Sequence, residues 1–168
     1  MRVSALLVVL LVSGCATMDA PPPANRHWQM TAKLSLSYEG ETRLVTMDWR
    51  QVGDNSEISL KGPFGTGSVL VSVSPDDIWL DTGDDRRRFS PEQPMTIDDR
   101  SLYLPWRLLS YWVRGIIGPS GIPIPDTYEQ EEWQIRVIRR ADFGPELMAF
   151  KHPDIALRLR VQSLTGNI

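Results

Sequence analysis

Cys15 is the one side chain in this 168-residue chain whose position dictates a covalent reaction. It is the only cysteine, and it follows Met1-Arg2, an uncharged apolar run from Ala5 to Val12, and the small residues Ser13 and Gly14. A cationic start, a short apolar stretch and small residues at a cut describe a secretory signal peptide. This run falls well short of the roughly 20 apolar residues needed to span a bilayer. A thiol directly behind such a cut is placed to be acylated. An ordinary secreted protein with a buried, inert thiol is the alternative. One cysteine cannot form a disulfide within the chain, although the compartment would permit one.

Other reactive constellations do not occur in the sequence. His27 lies at a segment boundary and His152 next to Pro153, neither in the spacing of a catalytic triad or a metal site. There is no G-x-S-x-G elbow and no H-E-x-x-H pair, and the glycine-rich run Gly62 to Gly67 lacks the lysine of a phosphate-binding loop. Asp76, Asp77, Asp81, Asp84 and Asp85 could hold a cation, but hairpin turns carry such residues for their own backbone geometry. The expectation is a protein that is not an enzyme and uses neither metal nor cofactor.

The tetrapeptide Val12-Ser13-Gly14-Cys15 resembles the bacterial lipobox. That resemblance implies a diacylglyceryl group on the thiol, cleavage before the cysteine and acylation of the new amine. Three acyl chains exceed the two-signal threshold for stable anchoring, at about 0.8 kcal/mol per buried CH₂. Position 16 is Ala rather than the Asp that resembles an inner-membrane retention signal, so the expected location is the periplasmic face of the outer membrane.

Three segments follow: a signal peptide at 1–14, a lipidated N-terminus and Pro-rich tether at 15–26, and one domain at 27–168. Successive prolines at Pro21, Pro22 and Pro23 remove backbone donors and favour polyproline II, so the tether reaches about 3 Å per residue. The domain is long enough for a single core. The whole chain carries a net charge of −3, and loss of Arg2 with the signal brings it to −4. Mild acidity argues against nucleic acid as a partner. Acidic and basic clusters, Asp84-Asp85-Arg86-Arg87-Arg88 and Glu129 to Glu132, read as a solvated hairpin and a solvated loop. Arg136, Arg139, Arg140, Arg158 and Arg160 are expected on the outer face of C-terminal strands.

The domain's pattern is mainly β. Trp28, Met30, Ala32, Leu34, Leu36 and Tyr38 share one face of a period-two run and Gln29, Thr31, Lys33, Ser35 and Ser37 the other. Further strands are read at Leu44 to Arg50, Glu57 to Lys61, Ser68 to Ser74, Asp77 to Thr82 and Arg86 to Phe89, separated by turn residues. Pro94 to Leu102 reads as a short helix or an irregular cap. Trp106 to Gly115 reads as a helix with Leu108, Leu109, Trp112 and Val113 on one side and Gly115 as its terminator. Gly118 to Pro125 reads as an unpaired loop, and strands at Glu132 to Arg139, Leu147 to His152 and Ile155 to Val161 close the chain. The natural packing is an antiparallel sheet curling toward a barrel, with the helical part on one side.

For so small a sheet the load of large apolar residues is high, with Trp28, Trp49, Trp79 and Trp133 on strands and Trp106 and Trp112 in the helical part. A curved sheet lined with aromatics under an apolar helix is either a filled core or a cavity for acyl chains. Periodicity alone does not separate the two. Pro63-Phe64-Gly65 stands apart, because a phenylalanine flanked by proline and glycine at a strand end is poorly placed to enter a core. It either dips into lipid as an exposed tip or folds back onto the rim.

Leu60-Lys61-Gly62-Pro63-Phe64-Gly65, Leu109 to Gly115, Trp28-Gln29 and Trp49-Arg50-Gln51 together resemble the outer-membrane lipoprotein receptor family LolB, in order, from roughly Trp28 to Val161. The chain is shorter than that pattern, without its helical segment before the first strand. The resemblance implies an incomplete, open antiparallel β-barrel with helices capping its concave face. It also implies a cavity that accepts acylated lipoproteins from a soluble, LolA-like periplasmic carrier and passes them to the outer membrane. A monomer suffices for that task. The cavity lining is then expected from Met30, Leu34, Leu36, Met47, Trp49, Trp79, Leu109 and Trp112. A structural lipoprotein that scaffolds an envelope complex through a filled barrel is the alternative.

Overall fold

The period-two run at the start of the domain forms a 12-residue strand, β1 (His27–Tyr38), in a computed structural model that describes residues 27–65, 67–97, 100–153 and 155–166. The signal peptide, Cys15 and the tether lie outside the described residues. Glu39 and Gly40, both at positive φ (48° and 81°), turn the chain back into β2 (Glu41–Val52). Then follow β3 (Asn55–Lys61), β4 (Ser68–Val73), β5 (Ile78–Asp81) and β6 (Arg86–Phe89). A small ribbon of β7 (Met95–Ile97) and β8 (Arg100–Leu102) leads to the helix α1 (Trp106–Trp112), then a second ribbon of β9 (Ile116–Ile117) and β10 (Ile122–Pro123). The chain ends with β11 (Thr127–Gln130), β12 (Trp133–Ala141), β13 (Gly144–His152) and β14 (Ile155–Gly166).

Ten strands make one antiparallel sheet in the order β11-β12-β13-β14-β1-β2-β3-β4-β5-β6. First and last strands meet at its centre, with Trp28 opposite Gly166 and Tyr38 opposite Ile155. A bulge at Thr31–Ala32, where Val161 and Ser163 are the successive partners, adds local twist. The two outer strands, β6 and β11, do not pair with each other, so the barrel stays open.

Three expectations are corrected here. In the expected helix or cap at Pro94 to Leu102, Met95–Ile97 and Arg100–Leu102 instead pair as the β7–β8 ribbon, apart from the main sheet. Gly118 to Pro125 does pair: Ile122 and Pro123 lie opposite Ile117 and Ile116 around a 3₁₀ turn, Gly118–Ser120, and a proline is tolerated at the end of so short an edge. The acidic stretch is not wholly loop, since Thr127–Gln130 is the edge strand β11 and only Glu131 and Glu132 make the turn, both at positive φ. Among the described residues the cap contains one α-helix.

The inner face holds the core. Trp28, Met30 and Ala32 from β1, Met47 and Trp49 from β2, Ile58, Val71, Val73, Ile78 and Leu80 are buried on one wing. Trp133, Ile135, Val137, Met148, Phe150, Ile155, Leu159, Val161 and Leu164 are buried on the other. Leu109, Trp112 and Val113 fill the space between.

Candidate functional site

The concave face changes character along β1. Near its start, cross-strand partners Met30, Trp49, Ile58, Val71 and Leu80 form one buried row. In the next row Ala32 and Met47 are buried while Leu60 and Val69 are half-buried. Farther along, Leu34, Leu36, Val45 and Leu157 are all half-buried, with Leu36 opposite Leu157. On the wing of β1 to β4 the apolar interior is therefore sealed at one end and half open at the other, whereas Ile135, Met148, Phe150 and Leu159, in the same rows on the wing of β12 to β14, stay buried.

The helix α1 seals the closed end. Pro105 precedes it without a side-chain cap, Leu109 N–H donates to Pro105 O at 2.8 Å, and no acidic residue lies in the first turn. Seven residues without an N-terminal cap are marginal alone, so packing holds this helix in place. Trp112 stacks on Phe150 (centroids 6.5 Å apart, planes at 24°), tilts against Trp133, and donates its indole N–H to Gln130 Oε1 at 3.3 Å. Gly115 then ends the turn at φ 77°, and a Cβ there would meet Pro145 Cγ at 2.5 Å, so position 115 requires glycine on both counts.

Arg114 is buried although no local pattern singles it out. Its side chain is 6 % exposed, its Nε donates to Ser110 O at 3.0 Å, and its guanidinium lies over Trp28 (5.7 Å) and Tyr111 (5.4 Å). Below it, Gln51 Oε1 accepts from Trp49 Nε1 and Ser56 Oγ, while Gln51 Nε2 donates to Gly53 O. A cleft of about 280 Å³ opens here, between α1 and the turns at Gly53-Asp54 and Ser74-Pro75. It falls below the roughly 300–1,000 Å³ of typical ligand pockets, and its walls include Gln51, Ser56 and Ser110, which do not suit an acyl chain. Trp28, Trp106 and Trp133 bury indole N–H groups without an acceptor among the described residues. Each such donor costs about 1–3 kcal/mol, so the sealed end is not optimally satisfied.

The expected lining divides in three. Met30, Met47, Trp49, Leu109 and Trp112 are buried and in contact with the rest of the core. Leu34 and Leu36 sit at the half-open end. Trp79 is corrected: it lies on the outer face, because Ile78 and Leu80 on either side of it turn inward to meet Val73 and Val71. A one-residue inversion flips every side chain of a strand. Outside, Trp79 is covered by Arg86 (4.6 Å to the ring) and Arg88 (5.9 Å). Arg88 also bonds Asp77, whose hydrogen bond and charge raise the guanidinium pKa.

Phe64 projects from the 3₁₀ turn Pro63–Gly65 between β3 and β4. It is fully exposed and adopts φ 59°, ψ 20°, so it does not fold back onto the rim. The preceding Lys61 is level with Thr46 and Lys33, which places the tip at the same end as Leu34 and Leu36.

A family model described as outer membrane lipoprotein LolB matches residues 26–163. An outer-membrane lipoprotein LolB from Chromohalobacter salexigens is 30 % identical over 134 residues, covering 69 % of this chain but 62 % of that relative. Its counterpart in Chromobacterium violaceum is 26 % identical over 175 residues, covering 96 % of this chain and 97 % of the relative. The chain thus spans under two thirds of the first relative and nearly all of the second. Among solved structures, a LolA superfamily protein from Nitrosomonas europaea superposes with a TM-score of 0.52 at 9 % identity, covering 86 % of this chain and 88 % of that one. That likeness is one of fold.

Proposed function

This chain belongs to the LolB family of outer-membrane lipoproteins, and we propose that it accepts acylated lipoproteins from a LolA-like periplasmic carrier and inserts them into the outer membrane. The observation that carries this reading is the gradient of the concave face, sealed under α1 and half open at Leu34, Leu36, Leu60, Val69 and Leu157. Side chains of the domain itself, chiefly Leu109 and Trp112, occupy the space an acyl chain would need. Cargo therefore enters at the half-open end and displaces α1 as it advances. A seven-residue helix without an N-terminal side-chain cap is the element of this fold that yields most readily.

The energetics suit transfer rather than storage. Each methylene is worth about 0.8 kcal/mol in either an apolar cavity or a bilayer, so the two compete on nearly equal terms and small differences set direction. The task is binding and release, without a bond made or broken. Acylated Cys15 holds the monomer at the membrane, and Phe64 enters the lipid when cargo is released.

A carrier loaded with labelled lipoprotein, mixed with a soluble form of the domain lacking Cys15, tests this. The expected result is a soluble cargo complex that co-elutes with the domain. Persistent absence of that complex, with a folded domain and a competent carrier, favours the scaffold instead.

A further inference from the structure

The convex face of β12, β13, β14 and β1 carries cations without counter-ions. Lys33, Arg136, Lys151, Arg158 and Arg160 are all exposed there, and none has a carboxylate within ion-pair distance among the described residues. Lys33 and Arg160 are direct cross-strand partners. Arg158 and Arg136 flank Ala149, and Lys151 lies opposite Ala156, so small residues separate the cations and do not cover them. Like charges placed opposite each other destabilise an antiparallel pair, and an anionic surface laid over them removes that repulsion. The concentration is the more telling in a chain whose net charge is −3. Two large apolar side chains stand exposed at the margins of this face, Leu44 (63 %) opposite Ser35, and Ile138 (43 %) on β12.

We propose that this face seats the domain side-on against the anionic phospholipid of the membrane that anchors it. The geometry of β1 favours the side-on pose: His27, where the tether joins, lies at one end of the strand, and Phe64 lies toward the other. A domain standing on end brings only one of these to the bilayer without drawing on tether length. Lying on the basic face brings both near it and turns α1 and the concave opening toward the periplasm, where a carrier arrives.

The full-length acylated protein in vesicles tests this. Its one native thiol is occupied by lipid, so Ala156→Cys gives a unique site for an environment-sensitive fluorophore on the proposed contact face. In vesicles with roughly a quarter phosphatidylglycerol the probe is expected to shift to the blue and to be quenched by lipid-borne quencher, and about 0.5 M salt should reverse both. Vesicles of phosphatidylcholine alone should give neither. Replacing Arg158→Gln and Arg160→Gln together should lower the docking equilibrium roughly 25-fold, about fivefold per charge, while cargo acceptance in solution stays intact. Equal probe signals on the two vesicle types, or none on the anionic ones, overturn the proposal. A double variant that keeps its vesicle signal but no longer captures loaded carrier does so too, and assigns the patch to an acidic protein.

Discussion

Phe64 holds a backbone conformation that bulky residues seldom adopt, and its ring contributes nothing to the core. Replacing it should therefore cost the fold little. Phe64→Glu is expected to slow delivery of cargo to vesicles by about 10- to 100-fold, the equivalent of one aromatic side chain's burial, and to leave acceptance from the carrier unchanged. Phe64→Gly, which relieves the backbone and removes the ring, should show the same split. Measuring both steps with labelled lipoprotein checks this, and normal delivery by either variant removes the membrane role. Trp79 teaches the opposite lesson about aromatic residues. An indole on a strand suggested lining, yet two arginines make its outer-face position tolerable.

The deciding element is α1. It closes the interior with two buried side chains, one of which, Trp112, ties it to β12 and β13. Its own hydrogen bonds are few and its N-terminus lacks a side-chain cap, whereas β1 and β14 are long strands paired on both sides. Amide hydrogens of α1 should exchange at least about 100-fold faster than those at the centre of β1, reporting local opening below the global unfolding free energy. Equal protection of the two would mean that α1 does not open separately. Truncating Trp112→Ala should destabilise the domain by about 3–5 kcal/mol in chemical denaturation, because the cavity it leaves is walled by strands that cannot collapse. Acyl-chain uptake should rise in that variant.

Across the whole molecule, the tether expected from the sequence at 15–26 would match the barrel in length. Twelve residues from 15 to 26 would reach about 36 Å if extended at 3 Å each, and β1 spans about the same at 3.3 Å per residue. An end-on domain with Phe64 at the bilayer needs nearly all of that reach, while a side-on domain needs little. Deleting residues 20–24 should then leave delivery within about twofold of the intact chain, and a collapse of delivery would indicate the end-on pose. An in vitro transfer assay on vesicles distinguishes them.

The sequence by itself determined the signal-like start, the β class, most strand positions, the helix at Trp106 and the isolation of Phe64 between proline and glycine. These follow from local rules: period two, helical spacing and turn chemistry act over a few residues each. Tertiary structure alone decided which face Trp79 takes, since the two faces of a strand differ only in what lies across from them. It alone decided that Met95–Ile97 pairs with Arg100–Leu102, that Ile116–Ile117 pairs with Ile122–Pro123 and that Thr127–Gln130 extends the sheet, because short strands are stabilised by partners more than by their own propensity. It alone decided that Leu109 and Trp112 fill the hollow and that Lys33 meets Arg160. Such contacts join residues far apart in the chain, brought together when β14 returns to pair with β1, and no local pattern encodes that closure.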